Sequence, residues 1–138
     1  MEWKRDQYWI TDDPSKVSLP AVNALLAQTY WAASRPPERT VDSIQHSLPF
    51  SLFYGNEQIG FARVLTDYSV YAVILDVVIH PDHRRHGLGR FLVESMLAHP
   101  SIQKLRTVLW SGDQDQFYQA CGFKYEQALK LFGISPKW

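Results

Sequence analysis

Asp76-Val-Val-Ile-His-Pro-Asp-His-Arg-Arg-His-Gly-Leu-Gly-Arg90 is the most informative segment of this sequence. It predicts an apolar strand, a short basic turn with two glycines, and an amphipathic helix that begins at once. Gly87 and Gly89 have no side chain, so the backbone can turn sharply and lie against a ligand. The unpaired N–H groups and the positive dipole end of the helix would face the same point. Such a turn is suited to a pyrophosphate, with backbone amides as the main donors.

The spacing of the glycines separates this turn from two common phosphate-binding motifs. A dinucleotide site needs G-x-G-x-x-G and a P-loop needs G-x-x-x-x-G-K-[ST], and the sequence has neither. It has Arg84-x-x-Gly87-x-Gly89 after a predicted strand. This pattern resembles [Q/R]-x-x-G-x-[G/A], the acetyl-CoA-binding motif of the GCN5-related N-acetyltransferases (the GNAT superfamily).

A second motif, Phe117-Tyr-Gln-Ala-Cys-Gly-Phe123, is similar to the F-Y-x-x-x-G-F signature that closes the GNAT core. Thr66-Asp67-Tyr68, Asp76-Val77 and residues 97–106 look like a bacterial GNAT subgroup of undefined substrate. The resemblance covers roughly residues 8–126 and is strongest over 60–123. It implies an α/β, GNAT-like acyl-CoA N-acyltransferase fold, with a mixed central sheet flanked by helices. It also implies direct transfer of an acetyl group from acetyl-CoA to an amine.

The same resemblance implies which residues hold the cofactor. The backbone of residues 77–79 would pair with the pantetheine arm like an added strand. Ser111 stands where many family members have an asparagine that contacts pantetheine, so we expect that contact to be weaker. The predicted cofactor-binding residues are Val77, Val78, Ile79, Arg84, Arg85, His86, Gly87, Leu88, Gly89, Arg90, Ser111 and Tyr118.

Two residues are candidates for catalysis. A phenol at Tyr118 can donate a proton or a hydrogen bond to the sulfur that leaves in acyl transfer. The alternative is that Tyr118 only packs, like Phe117. Asp76 is the only charged residue between Val70 and Ile79, and a carboxylate there must be compensated. It can act as a base through water, anchor a cationic substrate, or pair with Arg63.

Other polar and aromatic residues give weaker signals. By the resemblance, the acceptor pocket would be lined by Tyr30, Trp31, Arg39, Arg63, Asp67 and Tyr68. His80, His83 and His86 lie on a turn interrupted by Pro81, which does not suit zinc, so no metal is predicted. Cys121 is expected to be a packed core thiol rather than a nucleophile.

Composition limits the remaining classes of function. The 138 residues suit a single domain, 1–138, and 46% apolar residues argue against disorder. Fourteen basic residues balance fourteen acidic ones, so no global charge favours nucleic acid or a membrane. With one cysteine and no apolar run of membrane-spanning length, we expect a cytoplasmic protein. The resemblance implies that it acts on a small-molecule or peptide amine, and we expect a monomer or homodimer. The alternatives are a non-catalytic acyl-CoA sensor and a transferase for a longer acyl-CoA.

The predicted elements follow the order βααβββαβαβ. A strand at 8–12 precedes a helix capped by Ser18 that extends to Thr29, and Thr40 caps a second helix that ends near Ser47. A hairpin joins strands 50–54 and 58–65, and 70–79 is a central strand covered on both faces. Helix 87–98 and strand 105–110 follow, then a helix capped by Asp113 with Gln116 in a capping box, ending at Cys121. A closing strand is expected from Tyr125 onward.

Overall fold

The computed structural model describes residues 1–127, which form one mixed six-stranded sheet with helices on both faces. The strands lie in the order β1 to β6, antiparallel up to β5, with β6 parallel to β5. This architecture confirms the predicted fold class. The elements are β1 Glu2–Arg5, β2 Tyr8–Thr11, α1 Leu19–Leu26, α2 Pro37–Gln45, β3 Leu48–Tyr54, β4 Glu57–Thr66, β5 Tyr71–Ile79, α3 Leu88–Ala98, β6 Arg106–Val108 and α4 Asp115–Ala120.

The first strand of the sheet was missed by the sequence prediction, which began at residue 8. β1 pairs antiparallel with β2, and the turn between them holds Asp6 at a φ of +57°. Three of the four residues of β1 are charged, so the segment has no apolar alternation that would indicate a strand. Trp3 is the exception, and it packs against the core.

Two helix boundaries differ from prediction. α1 is capped by Ser18, as expected, but ends at Leu26, and the hydroxyl of Thr29 donates to the Leu26 carbonyl in the turn beyond. α2 begins at Pro37 rather than after Thr40, which is buried inside the helix. Proline is well tolerated in a first helical turn, where its missing N–H has no intrahelical partner to lose.

The sheet has a separate apolar core on each face. α1 and α2 cover one face, where Val22, Leu25 and Ile44 pack on Phe61 and Val78. α3 covers the other face, and its buried side chains are Leu88, Leu92, Val93 and Met96. The apolar positions of α3 therefore follow the helical spacing that the sequence predicted.

A β-bulge in β5 changes which residues face each core. Phe61 pairs with Val78 and Arg63 with Leu75, so Asp76 and Val77 both lie opposite Ala62. Asp76 takes the extra position at a φ of +57°, a conformation that aspartate and asparagine adopt more readily than most residues. Before the bulge Ala72 and Ile74 face the α3 core, and after it Val77 and Ile79 do. The bulge thus turns the Asp76 side chain toward α1 and α2.

The first half of β5 differs from the strand covered on both faces that the sequence predicted for residues 70–79. Within residues 1–127 no helix covers its side chains on the face opposite α3, and Tyr71 is exposed while Val73 is half-buried. Helix coverage of that face is limited to the half of the strand around Val78. The expectation of a strand covered on both faces was therefore wrong for residues 71–75.

The last elements are shorter than predicted. β6 has three residues, and α4 begins at Asp115 after Gln114, without a side-chain cap from Asp113. The Ser111 hydroxyl accepts from the Gln114 N–H at 2.8 Å in the loop before the helix. Residues 125–127 form no strand, and the rest of the predicted closing strand lies outside the described residues. No helix within residues 1–127 is long and apolar enough to cross a membrane.

Candidate active site

A cleft of about 720 Å³ opens where β5, α3, α4 and the segment after α1 meet. Most of the residues predicted to bind the cofactor line it, as do two of the predicted acceptor residues. These are Val77, Val78, Ile79, Arg84, Arg85, Gly87, Leu88, Gly89, Arg90 and Tyr118, with Tyr30 and Trp31. The sequence did not indicate five further lining residues, Gln28, Thr29, Asp113, Gln114 and Phe117. Among these, only Phe117 had a signal, as part of the second motif.

The N-terminus of α3 forms one end of the cleft. Gly87 caps the helix at a φ of +69°, which a side chain would strain, and the first intrahelical bond runs from Phe91 N–H to the Gly87 carbonyl at 3.0 Å. The preceding amides, including those of Leu88 and Gly89, have no intrahelical partner. A Cβ on Gly89 would lie 3.1 Å from the Phe117 ring, so glycine also lets α4 approach α3.

Two of the three arginines in and after this turn make hydrogen bonds within the protein. Arg90 Nε lies 2.6 Å from Glu94 Oε1 one helical turn away, and Arg84 Nε donates to the Ile79 carbonyl at 3.3 Å. Arg85 is exposed, at a φ of +69°. The backbone amides and Arg85 are therefore the strongest features for an anion.

Arg5 of β1 supports the turn from outside the motif. Its Nη2 donates to the His86 carbonyl at 3.0 Å, and its guanidinium lies 4.6 Å from the centre of the Phe91 ring. This contact joins residues 81 positions apart, so no local sequence pattern could reveal it. His86 contributes a backbone carbonyl to the contact and is not among the lining residues.

One edge of β5 lies open along the cleft. Within the described residues, β6 pairs only with Tyr71, Ala72 and Val73 of β5. From residue 74 onward this edge has no partner strand in that part of the chain, while the opposite edge pairs with β4. The backbone groups of residues 77–79 that face the cleft are thus available to a ligand with amide groups.

Tyr118 lies on α4 at the other side of the cleft. Its ring is half-buried and packs against Phe117, with centroids 4.9 Å apart, and against Phe123 at 6.1 Å. Burial, with the neighbouring Cys121 thiol and Tyr30 hydroxyl, raises the pKa of Tyr118 above its usual value. The side chain is therefore a neutral phenol at physiological pH. Burial likewise raises the pKa of the Cys121 thiol, which does not favour a nucleophile.

Tyr30 reaches across the opening toward the loop after β6. A Cβ on Gly112 would overlap the Tyr30 hydroxyl, so the loop and the ring are in direct contact at this glycine. The Tyr30 ring also packs edge-on against Trp31, with centroids 5.1 Å apart. The segment after α1 therefore contributes an aromatic wall to the cleft.

Asp76 lies directly behind that wall and is buried. Arg35 donates to both of its oxygens, at 2.9 and 3.0 Å, and Arg63 Nε donates to Oδ2 at 2.8 Å. Trp31 Nε1–H donates to Oδ1 at 3.1 Å. Burial acts to raise the pKa of Asp76, but these hydrogen bonds and the two positive charges outweigh it and leave the pKa below its usual value. The ion pair with Arg63 is present, and Arg35 is a partner that the sequence did not indicate.

The other predicted site residues lie outside the lining of the cleft. Arg39 is exposed on α2, and Tyr68 is exposed at a φ of +59° in the β4–β5 turn. Asp67 accepts hydrogen bonds from the backbone N–H groups of residues 69–71, which stabilise that turn. The Ser111 hydroxyl is engaged by Gln114. The roles expected of these residues remain predictions. Within residues 1–127, no three His, Cys, Asp or Glu side chains are grouped as a metal site.

The comparison with known proteins addresses the family and the fold of this chain. Residues 46–125 match the family described as acetyltransferase (GNAT) domain. A candidate GNAT acetyltransferase from Xanthomonas campestris pv. campestris has a TM-score of 0.84 and 30% identity, covering 91% of this chain and 93% of its own.

Two further proteins extend the comparison. The acetyltransferase candidate FG08082 of Gibberella zeae is 27% identical over 96% of this chain and 89% of its own length. A GNAT acetyltransferase of Elizabethkingia anophelis, solved with acetyl-CoA bound, shares the fold at a TM-score of 0.71 and 17% identity, over 89% of this chain and 80% of its own. The family match spans more than half of the sequence, and the Xanthomonas structure matches nearly all of it. This chain therefore belongs to the GNAT acetyltransferase family.

Proposed function

We propose that this protein transfers an acetyl group from acetyl-CoA to the amine of an acceptor, directly within a ternary complex. The observation that carries the proposal is one cleft that holds an anion-binding helix N-terminus, an open strand edge and a neutral phenol. A related fold with acetyl-CoA bound, in the Elizabethkingia protein, supports the choice of cofactor.

The cofactor would be held at two places. The pyrophosphate would accept hydrogen bonds from the amides at the start of α3, with Arg85 beside it and Arg5 fixing the turn. The amides of the pantetheine arm would pair with the open edge of β5 at residues 77–79. The thioester would then lie between this edge and Tyr118.

The reaction needs little covalent help from the protein. The amine nitrogen attacks the thioester carbonyl, a C–N bond forms, and the C–S bond breaks as the tetrahedral intermediate collapses. A backbone N–H of Val77 or Val78 would stabilise the oxyanion. Tyr118 would give its proton to the leaving thiolate and regain one from solvent, while the surplus amine proton passes to water. Placing the two reactants in line would supply much of the rate.

Asp76 takes a supporting role in this mechanism. A base must accept a proton near neutral pH, whereas the pKa of Asp76 is held below its usual value by Arg35 and Arg63. Four hydrogen bonds also occupy its oxygens. We therefore assign it to holding the two arginines and Trp31 in place, rather than to proton transfer from the amine.

Thermal unfolding and thiol release test the proposal together. Acetyl-CoA at about 100 times its Kd should stabilise the protein by about 2.7 kcal/mol, which raises Tm by about 9 °C for a chain of this size. A panel of amines should then release free CoA, with acetylated products seen by mass spectrometry. A Tm shift without thiol release for any amine would favour the acyl-CoA sensor, and no shift at all would refute the assignment.

A matched pair of glycine variants locates the cofactor. Gly87→Val places a branched side chain at a φ of +69° at the start of α3, and Gly55→Val does so at +58° in the β3–β4 turn. Both should lower Tm through backbone strain. Only Gly87→Val should also abolish the shift caused by acetyl-CoA. If both variants lose the Tm shift with acetyl-CoA equally, the turn before α3 is not the cofactor site.

A further inference from the structure

The buried cluster of Arg35, Asp76 and Arg63 has one positive charge more than its internal pairing needs. The two guanidinium groups face one carboxylate. The side chain of Arg35 is 11% exposed, that of Arg63 is 12% exposed and that of Asp76 is 2% exposed. Among residues 1–127 neither arginine forms an ion pair with any other acidic side chain. A charge so far removed from water is costly unless an opposite charge lies near it.

The surplus charge belongs to Arg63 by geometry. Arg35 uses both terminal nitrogens on the two oxygens of Asp76, which is the bidentate geometry of a complete pair. Arg63 uses only Nε, so its two Nη groups have no hydrogen-bond acceptor within the described residues. They are not completely buried, because Ser51 Oγ is the one fully buried side-chain polar atom without a partner in that part of the chain. These Nη groups are therefore the donors of the cluster that are left for a ligand.

The position of the cluster connects it with the transfer site. Asp76 directly precedes Val77, which lines the cleft, and Trp31 both lines the cleft and donates to Asp76. On the other side, Arg63 adjoins a part of the sheet face that no helix of the described residues covers, where Leu65 and Tyr71 are exposed. The cluster thus lies between the cofactor cleft and an open, partly apolar surface.

A structural role alone does not account for both arginines. Arg35, in the segment between α1 and α2, would neutralise Asp76 and attach that segment to the sheet without help. The second arginine comes from β4, and its two Nη donors are not used by any acceptor within residues 1–127. Such a fork matches the two oxygens of a carboxylate, which a lysine would not hold in the same way.

We propose that Arg63 anchors a carboxylate of the acceptor, so that the substrate is an amino acid or another short amine that carries a carboxylate. This inference rests on the proposed acetyl transfer and specifies its acceptor. The carboxylate would take the two Nη donors and complete the charge of the cluster. The amine, a few bonds away, would point along the wall formed by Trp31 toward the thioester at the edge of β5.

Matched acceptors test the anchor in the wild-type protein. Amino acids, their carboxamides and the corresponding aminophosphonates are compared by kcat/KM for CoA release, with glycine, β-alanine and γ-aminobutyrate as a series of increasing length. We expect carboxylates to exceed carboxamides by about 10- to 100-fold, the scale of a hydrogen bond to a charged group. Equal rates for acid and amide would overturn the anchor while leaving acetyl transfer intact. Faster phosphonates would overturn the choice of carboxylate.

A variant then assigns the preference to one side chain. Arg63→Met leaves Arg35 and Asp76 as a neutral pair, and we expect the ratio of acid to amide to fall close to one while the Tm shift with acetyl-CoA persists. Lys104→Met, which removes an exposed cation, should keep the wild-type ratio. A wild-type ratio in Arg63→Met would refute the anchor. If wild-type protein neither binds acetyl-CoA nor releases CoA with any amine, the acetyl-transfer proposal itself fails, and the anchor fails with it.

Discussion

Replacing Asp76 by asparagine should destabilise the protein strongly while leaving the backbone undisturbed. Asparagine tolerates the φ of +57° at this bulge, so backbone strain does not change. The change removes the one negative charge between Arg35 and Arg63 and turns one of its two acceptor oxygens into a donor. Breaking a buried pair by removing one partner costs about 3–5 kcal/mol.

The expected fall in Tm follows from the size of the chain. The unfolding entropy of a protein of 138 residues is about 0.3 kcal/mol/K near its Tm, so a loss of 3–5 kcal/mol lowers Tm by about 10–17 °C. Calorimetry or circular dichroism at pH 7 measures it. Asp42→Asn, an exposed carboxylate on α2, is the control and should change Tm by no more than about 2 °C.

The pH dependence gives the same prediction a second test. The pKa of Asp76 is lower in the folded protein than the usual value of about 3.9, so its stabilising effect is complete above that value. The effect is lost as the pH falls from about 4 through the lower pKa of the folded state. The difference in Tm between wild type and Asp76→Asn should therefore be constant above pH 5 and shrink below pH 4. A Tm within about 2 °C of wild type at pH 7 would refute the reasoning.

Three further changes address the mechanism and the cofactor. Tyr118→Phe should lower kcat by roughly 10²-fold in the CoA-release assay and keep the Tm shift with acetyl-CoA, whereas an unchanged kcat would make Tyr118 a packing residue. Because the pKa of Tyr118 is raised, its loss of a proton should not reduce wild-type kcat below about pH 10. Arg5→Met removes the donor to the turn before α3 and should weaken acetyl-CoA binding about 5- to 10-fold by calorimetric titration, with Lys4→Met as the neutral comparison. A chelator should alter neither Tm nor CoA release, and loss of either would reveal a required metal.

The parts of the site that the sequence predicted are those set by local chemistry. The sharp turn at Gly87, the helical spacing of α3, and the tyrosine of the second motif are each determined within a few residues. The limits of α4 were less accurate, because the helix begins one residue later than a cap at Asp113 would place it and its N-cap, Gln114, makes no side-chain capping bond. A residue that can cap a helix does not by its presence show that it does so.

The features that the sequence could not predict depend on contacts between distant segments. Arg5 reaches the turn before α3 from β1, and Arg35 reaches Asp76 from the segment between α1 and α2. Both are arginines in polar stretches, which sequence patterns treat as ordinary surface. Asp76 did stand out as a lone charge in an apolar run, and the sequence correctly required compensation for it. It named only one of the two arginines that supply it.

The bulge at Asp76 links the fold to the proposed chemistry. At the bulge, two residues of β5 lie opposite one residue of β4, which reverses the alternation of side chains along β5. Val77 and Ile79 therefore continue the α3 core, while Asp76 turns to the other face. A bulge also bends and twists its strand, and β5 pairs with β6 only before it, within the described residues. Asp76 therefore lies between the strand edge proposed to bind the cofactor and the arginine proposed to anchor the acceptor. A regular strand would place residue 76 toward the α3 core, away from Arg35 and Arg63, so the proposed acceptor anchor depends on the bulge.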